Sequence, residues 1–178
     1  MRRVAALLRG VNLGKRKLLS EDLAAVTRGA GYADVRTFLA SGNVVFASDR
    51  ASAEIERALE AALLAHGLVT DVLVRDAAEL AAVIAANPFV DEAADHPSHM
   101  LVTFHREAFP ADLIAAAAGL NTGPERMVAV GRELFTDYVG REAMRESKLL
   151  QVMKKAKFPT VATARNWNTV TKLAEMVA

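Results

Sequence analysis

Val35-Arg36-Thr37-Phe38-Leu39-Ala40-Ser41-Gly42-Asn43-Val44-Val45-Phe46-Ala47 reads as two strands folded back on a turn. Gly42 supplies the positive φ that a tight turn needs, and both flanks are strand-like. Upstream, Val4-Ala5-Ala6-Leu7-Leu8 is a continuous apolar run, too short for a helix and stopped by a turn signal at Gly10, so it reads as a buried strand. Between the two, Ser20 is an N-cap, Glu21 and Asp22 suit the positive end of a helix dipole, and Leu23, Val26 and Ala30 share one face. Downstream, Ser52 caps a helix in which Ile55, Leu59, Ala62 and Leu63 keep helical spacing up to Gly67, and residues 68–75 form a fourth strand. The order of elements is βαββαβ.

That order predicts the split βαβ, or ferredoxin-like, arrangement, with four antiparallel strands and both helices on one face. Strands one and two then run in the same direction. The loop leaving strand one and the turn at Ser41-Gly42 are therefore expected at the same sheet edge.

The rest of the chain repeats the order. Asp76-Ala77-Ala78-Glu79 is a capping box opening a third helix that ends at Asn87-Pro88. Residues 91–98 read as an acidic loop, and residues 99–105 alternate as a strand. Pro110 opens a short helix ended by Gly119. A second hairpin turns at Gly131-Arg132, between residues 126–130 and 133–139. Residues 141–157 read as one helix with Leu149, Val152, Met153 and Ala156 inward and Lys154, Lys155 and Lys157 outward. Thr160-Val161-Ala162 is a short last strand, and from Thr163 a final helix carries Trp167, Val170, Ala174 and Val177 on one face.

The expectation is an α+β protein of two tandem ferredoxin-like halves with extra helices after each. Residues 1–90 form the first half with its trailing helix, residues 91–98 an acidic linker, and residues 99–178 the second half with basic helices. A single mixed α+β domain is the alternative. Corresponding points fall at Val4 and Met100, Gly42 and Gly131, and Asp76 and Thr163. Identity between the halves is slight, so the repeat is one of architecture.

Composition narrows the chemistry. The 178 residues are 52% hydrophobic and 24% charged, as in an ordinary globular protein. With no Cys there is no disulfide framework, thiol nucleophile or thiolate metal site. No apolar run reaches the roughly 20 residues of a spanning helix, and the five apolar residues after Met1-Arg2-Arg3 are too few for a signal peptide. A cytoplasmic protein with no membrane partner is expected. The net charge of +1 is unevenly spread. Residues 1–40 carry eight Lys/Arg against three Asp/Glu, as do residues 138–178, while residues 41–137 carry six against fifteen. One reading is solvated faces, the other a shared basic face for an anionic partner.

The loop after strand one concentrates the candidate groups. Gly10 and Gly14 let backbone approach a ligand, and Arg9, Lys15, Arg16 and Lys17 supply charge next to a helix start. These are the ingredients of an anion cradle, although the pattern is neither a P-loop nor a dinucleotide fingerprint. Asn12 belongs to the same loop, and Ser41 and Asn43 would complete the cradle from across the edge; Asn43 equally serves its own turn. Arg165 and Asn166, read in the first turn of the last helix, and Lys148 are further candidates for a phosphate or carboxylate. His96 and His99 beside Asp91, Glu92 and Asp95 have the residue types of a metal site, but their spacing matches no ligand motif. His66, at a helix C-terminus, is expected at the same edge as the basic loop. No nucleophile, general base or cofactor motif stands out, so no catalytic residue, metal or cofactor is assigned.

Leu8-Arg9-Gly10-Val11-Asn12, Ser41-Gly42-Asn43-Val44-Val45-Phe46, Asn87-Pro88-Phe89, Ser147-Lys148 and Thr163-Ala164-Arg165-Asn166-Trp167-Asn168-Thr169-Val170 resemble, in order and spacing, domain-of-unknown-function family 1697 (DUF1697). The resemblance implies a bacterial-type α+β protein of two ferredoxin-like parts and no particular reaction. The family tends to carry more glycine where Leu13-Gly14-Lys15-Arg16 stands here. Three functions follow. The first is binding of a phosphate-bearing small molecule, nucleotide or nucleic acid end. The second is acylphosphatase-like hydrolysis using Arg9 and Asn43, an analogy of fold. The third is docking of a protein partner. Binding is the expectation, with a small or structured ligand, because the first sheet lacks the aromatic platform of single-strand binders.

Overall fold

A computed structural model describes residues 1–11 and 17–178 of the protein. Its elements run β1 (Arg2–Leu8), α1 (Ser20–Gly29), β2 (Ala33–Phe38), β3 (Asn43–Ser48), α2 (Ser52–Ala65), β4 (Val72–Asp76) and α3 (Ala77–Ala85). They continue with α4 (Val90–Asp95), β5 (Met100–His105), α5 (Asp112–Ala118), β6 (Arg126–Val130), β7 (Glu133–Asp137), α6 (Arg141–Glu146), α7 (Leu149–Lys155), β8 (Ala162–Asn166) and α8 (Trp167–Val177). The strands form two four-stranded antiparallel sheets, ordered β2-β3-β1-β4 and β6-β7-β5-β8. The chain divides into two compact units, one of Met1–Ala82 with Lys172–Ala178 and one of Val83–Thr171. Among the described residues no helix is long and apolar enough to cross a membrane.

In the first unit, Val4, Ala6 and Leu8 of β1 face a core made with Val44, Phe46, Val72 and Val74 and with Leu23, Ile55, Leu59 and Leu63 of the helices. The alternate residues Ala5 and Leu7 are fully buried too, as are Leu73 and Arg75. Burial on both faces is why β1 reads as an unbroken apolar run rather than an alternating one.

Four elements differ from the sequence reading, each for a local reason. Residues 91–98 are not all loop: α4 forms there, with Asp91 and Glu92 in its first turn and Ala93 buried. The single helix over residues 141–157 is two. Ser147 takes an extended conformation at ψ 135°, and its Oγ accepts the Leu149 N–H at 3.1 Å, starting a new helix. The fourth strand begins at Val72 rather than residue 68, because residues 68–71 form the connection from α2. The last strand runs to Asn166, so Arg165 and Asn166 lie in β8 and not in a helix turn.

That last difference makes the internal repeat visible. Arg75 pairs with Ala5 across β4 and β1, and Arg165 pairs with Val102 across β8 and β5. Both arginines are buried, at 0% and 6% exposure. Each donates from Nη1 to the carbonyl just before it, Val74 at 3.0 Å and Ala164 at 2.8 Å. The next residue caps a helix in both cases. Asp76 Oδ1 accepts the Glu79 N–H while Glu79 Oε2 accepts the Asp76 N–H, both at 2.9 Å, and Asn166 Oδ1 accepts the Thr169 N–H at 3.0 Å. The partner of Asp76 in the repeat is therefore Asn166, not Thr163.

The turn at Gly42 has φ +78°, and a Cβ there would overlap Val11 Cγ2 and lie 3.0 Å from Leu8 Cβ. Gly42→Ala is expected to lose about 2–4 kcal/mol through left-handed strain and overpacking. Urea denaturation measures it, and a loss below 1 kcal/mol would mean that Val11 does not hold this turn.

Candidate functional site

Three chain segments meet where β1 ends. The Leu8 N–H donates to Gly42 O at 2.8 Å, which joins the end of β1 to the β2–β3 turn, and the Arg9 N–H donates to Asp71 O at 3.0 Å. Thr70 Oγ1 donates to Arg9 O at 2.6 Å. The Arg9 guanidinium donates from Nη1 to Asp71 Oδ2 at 2.8 Å. Arg9 is thus tied through its N–H, its carbonyl and its side chain to the segment just before β4. Its side chain is still 45% exposed, and that of Asp71 30%. Arg9, Gly10, Glu60, Val69, Thr70 and Asp71 line a cleft of about 400 Å³.

The first residues after β1 and the hairpin turn are therefore neighbours, as the strand directions require. Asn43 is fully buried, and its two amide N–H groups go to Phe38 O at 2.8 Å and Ser41 Oγ at 2.9 Å. Both residues brace the turn behind Arg9. Asn12, Lys15 and Arg16 lie outside the described residues. His66 is exposed at the C-terminus of α2. The residues that sequence reasoning missed are Glu60, Thr70 and Asp71. Thr70-Asp71 falls inside the strand expected over residues 68–75, where an Asp is disfavoured, and that misfit is the available signal.

The other sequence candidates lie in the second unit. Lys148 is exposed beside a cleft of about 360 Å³, also lined by Gly123, Glu125 and Ser147. Ser147 Oγ donates to buried Glu125. Arg165 donates to Thr163 Oγ1 at 2.7 Å, and burial pushes its pKa down to about 10. Arg165 and Asn166 serve the architecture, as the repeat at Arg75 and Asp76 shows.

The histidine-rich stretch holds a charge network. Asp137 is fully buried. Its Oδ1 meets His96 Nε2 at 2.8 Å and accepts the Val139 N–H at 2.9 Å, and its Oδ2 accepts Arg126 Nη2 at 2.6 Å. His96 Nδ1 lies 3.0 Å from Asp95 Oδ2. Arg126 also pairs with Glu92 and stacks 5.0 Å from the Phe89 ring centroid. Among the described residues no group of three or more His, Asp or Glu is arranged to hold a metal ion.

Bonding to Asp137, and then to Asp95, raises the His96 pKa against the opposing effect of burial. For Asp137, burial works upward, but the His96, Arg126 and Val139 hydrogen bonds hold the carboxyl below its ordinary range. Linkage then sets two pH limits. The His96 contribution is complete below its ordinary value of 6.5 and is lost as pH rises through the raised folded value. The Asp137 contribution is complete above 3.8 and is lost as pH falls through the lowered folded value. Urea titrations should show this part of the stability declining as pH rises above 6.5 in the wild type and not in His96→Gln; equal slopes would remove His96 from the account. Asp137→Asn should cost about 1.5–3 kcal/mol.

Three comparisons place the chain among known proteins. None of the curated proteins compared matches it. Its fold is similar to a solved structure described as conserved bacterial protein SP0830 from Streptococcus pneumoniae, with TM-score 0.75, 21% identity, and coverage of 99% of this chain and 98% of that one. The sequence profile of the family described as "Protein of unknown function (DUF1697)" matches residues 1–135, and on a match of that extent the chain belongs to this family.

Proposed function

We propose that the protein binds a phosphate-bearing or other anionic small ligand at the edge where β1 ends, with Arg9 as the principal contact. The observation that carries this reading is the fixing of Arg9 by three hydrogen bonds to Thr70 and Asp71 while its guanidinium stays about half exposed on the cleft. A guanidinium held in place loses little freedom on meeting an anion, and its fork of donors matches phosphate and carboxylate oxygens. The basic sequence that follows Arg9 adds to the attraction. A ferredoxin-like reading of each half is supported by the strand order β2-β3-β1-β4 and its counterpart. In such a half the loop after strand one and the start of strand four share an edge. Enclosure of Asn43 favours binding over acylphosphatase-like hydrolysis, which would want that amide beside the anion.

A thermal-shift series with inorganic phosphate, mononucleotides, acetyl phosphate and 5′-phosphorylated oligonucleotides tests the site. A ligand at one hundred times its dissociation constant adds about 2.7 kcal/mol, or roughly 5–10 °C for a chain of this size. Arg9→Ala is expected to abolish the shift while leaving the unliganded melting temperature within about 2 °C. A shift that survives this substitution would place the anion elsewhere.

A further inference from the structure

We propose that the ligand of this cleft is a ribose 5′-phosphate unit, the sugar-phosphate part of a ribonucleotide, with Arg9 on the phosphate and Asp71 on the ribose hydroxyls. The inference rests on the anion-binding reading above and deepens it.

The cleft places two carboxylates, Asp71 and Glu60, beside Arg9. Asp71 uses Oδ2 for Arg9 at 2.8 Å, and its side chain remains 30% exposed. No other side-chain contact of Asp71 is made among the described residues, so Oδ1 stands as an acceptor on the cleft wall. The Thr70 hydroxyl is spent on Arg9 O, and Glu60 Oε1 accepts the Val72 N–H at 3.0 Å. A ligand that fits this lining brings an anionic group to Arg9 and hydroxyl donors to Asp71, which offset the repulsion of the carboxylate. Adjacent ribose hydroxyls provide those donors on the same small frame as the phosphate. Val69, 69% exposed on the same cleft, offers an apolar wall on which a base can lie. A volume of about 400 Å³ lies within the range of small-molecule sites.

Isothermal titration of the full-length protein tests this with inorganic phosphate, ribose 5-phosphate, adenosine 5′-monophosphate and its 2′,3′-dideoxy analogue. The expected result is tenfold or greater preference for the ribonucleotide over the dideoxy form, because an acceptor built for hydroxyls is left unpaired by the analogue. Asp71→Asn should reduce the preference to about twofold, while Arg9→Ala should remove binding of every phosphate. A 5′-phosphorylated diribonucleotide then separates the two sources of the same chemistry: tighter binding than the mononucleotide assigns the unit to an RNA end, weaker binding to a free nucleotide. Equal binding of the ribo and dideoxy forms, both lost in Arg9→Ala, would overturn the ribose assignment and leave the anion site standing. Absence of any Arg9-dependent binding would overturn both. The wild-type comparison decides the question even if Asp71→Asn fails to fold.

Discussion

The constraint on which the first unit depends is the enclosure of β1 from Val4 onward. Residues 4–8 have at most 1% of their surface exposed, on either face. An enclosed strand cannot leave backbone groups to water, and each unpaired one costs about 1–3 kcal/mol. Both of its edges are accordingly occupied, by β3 on one side and β4 on the other. The two antiparallel neighbours bring the turn before β3 and the connection before β4 to the point where β1 ends. Arg9 is the first side chain past the strand to reach solvent. The candidate site thus arises where burial stops, with its residues supplied by the elements that satisfy the strand's backbone.

Buried charge is handled alike at one pair of corresponding points in the two units, and in a different way at Asp137. Arg75 and Arg165 occupy the penultimate position of the last strand in each sheet, and both fold back onto the preceding carbonyl. Asp137 has no counterpart in this pattern. It draws His96, Arg126 and the Val139 N–H to one carboxylate, joining the segment after α4 to β6 and to the turn into α6. Val139 holds φ +58°, an unfavourable conformation for a β-branched residue, and its N–H bond to Asp137 anchors that turn. Buried carboxylates of this kind persist where several donors share the cost of desolvation.

Much of the architecture was legible in the sequence, and the particulars show why. The capping box at Asp76 and Glu79, the stop at Gly119 and the turn at Gly42 are set by residues a few positions apart, so their signals are contiguous. The breaks that were missed also had local causes, but quieter ones. Ser147 ends one helix and starts another through a single hydroxyl, and the acids at Asp91 and Glu92 suit a loop as well as the first turn of a helix. Of the candidate site, Arg9 and its proximity to Gly42 could be inferred from strand direction. Asp71 could not, because its partner lies 62 residues away.

The sequence by itself determined the order of the strands, the sheet edge at which the chain leaves β1 and the repetition of that strand order along the chain. Hydrophobic spacing, caps and turn residues act over a few positions and need no distant partner. Only the tertiary structure decided which charges are spent and which face solvent. Arg165, a surface cation by composition, is buried in a strand; Arg9 meets Asp71 across 62 residues, and His96 meets Asp137 across 41. Electrostatic pairing depends on distance in space and on desolvation, and neither quantity exists until the strands have been brought together.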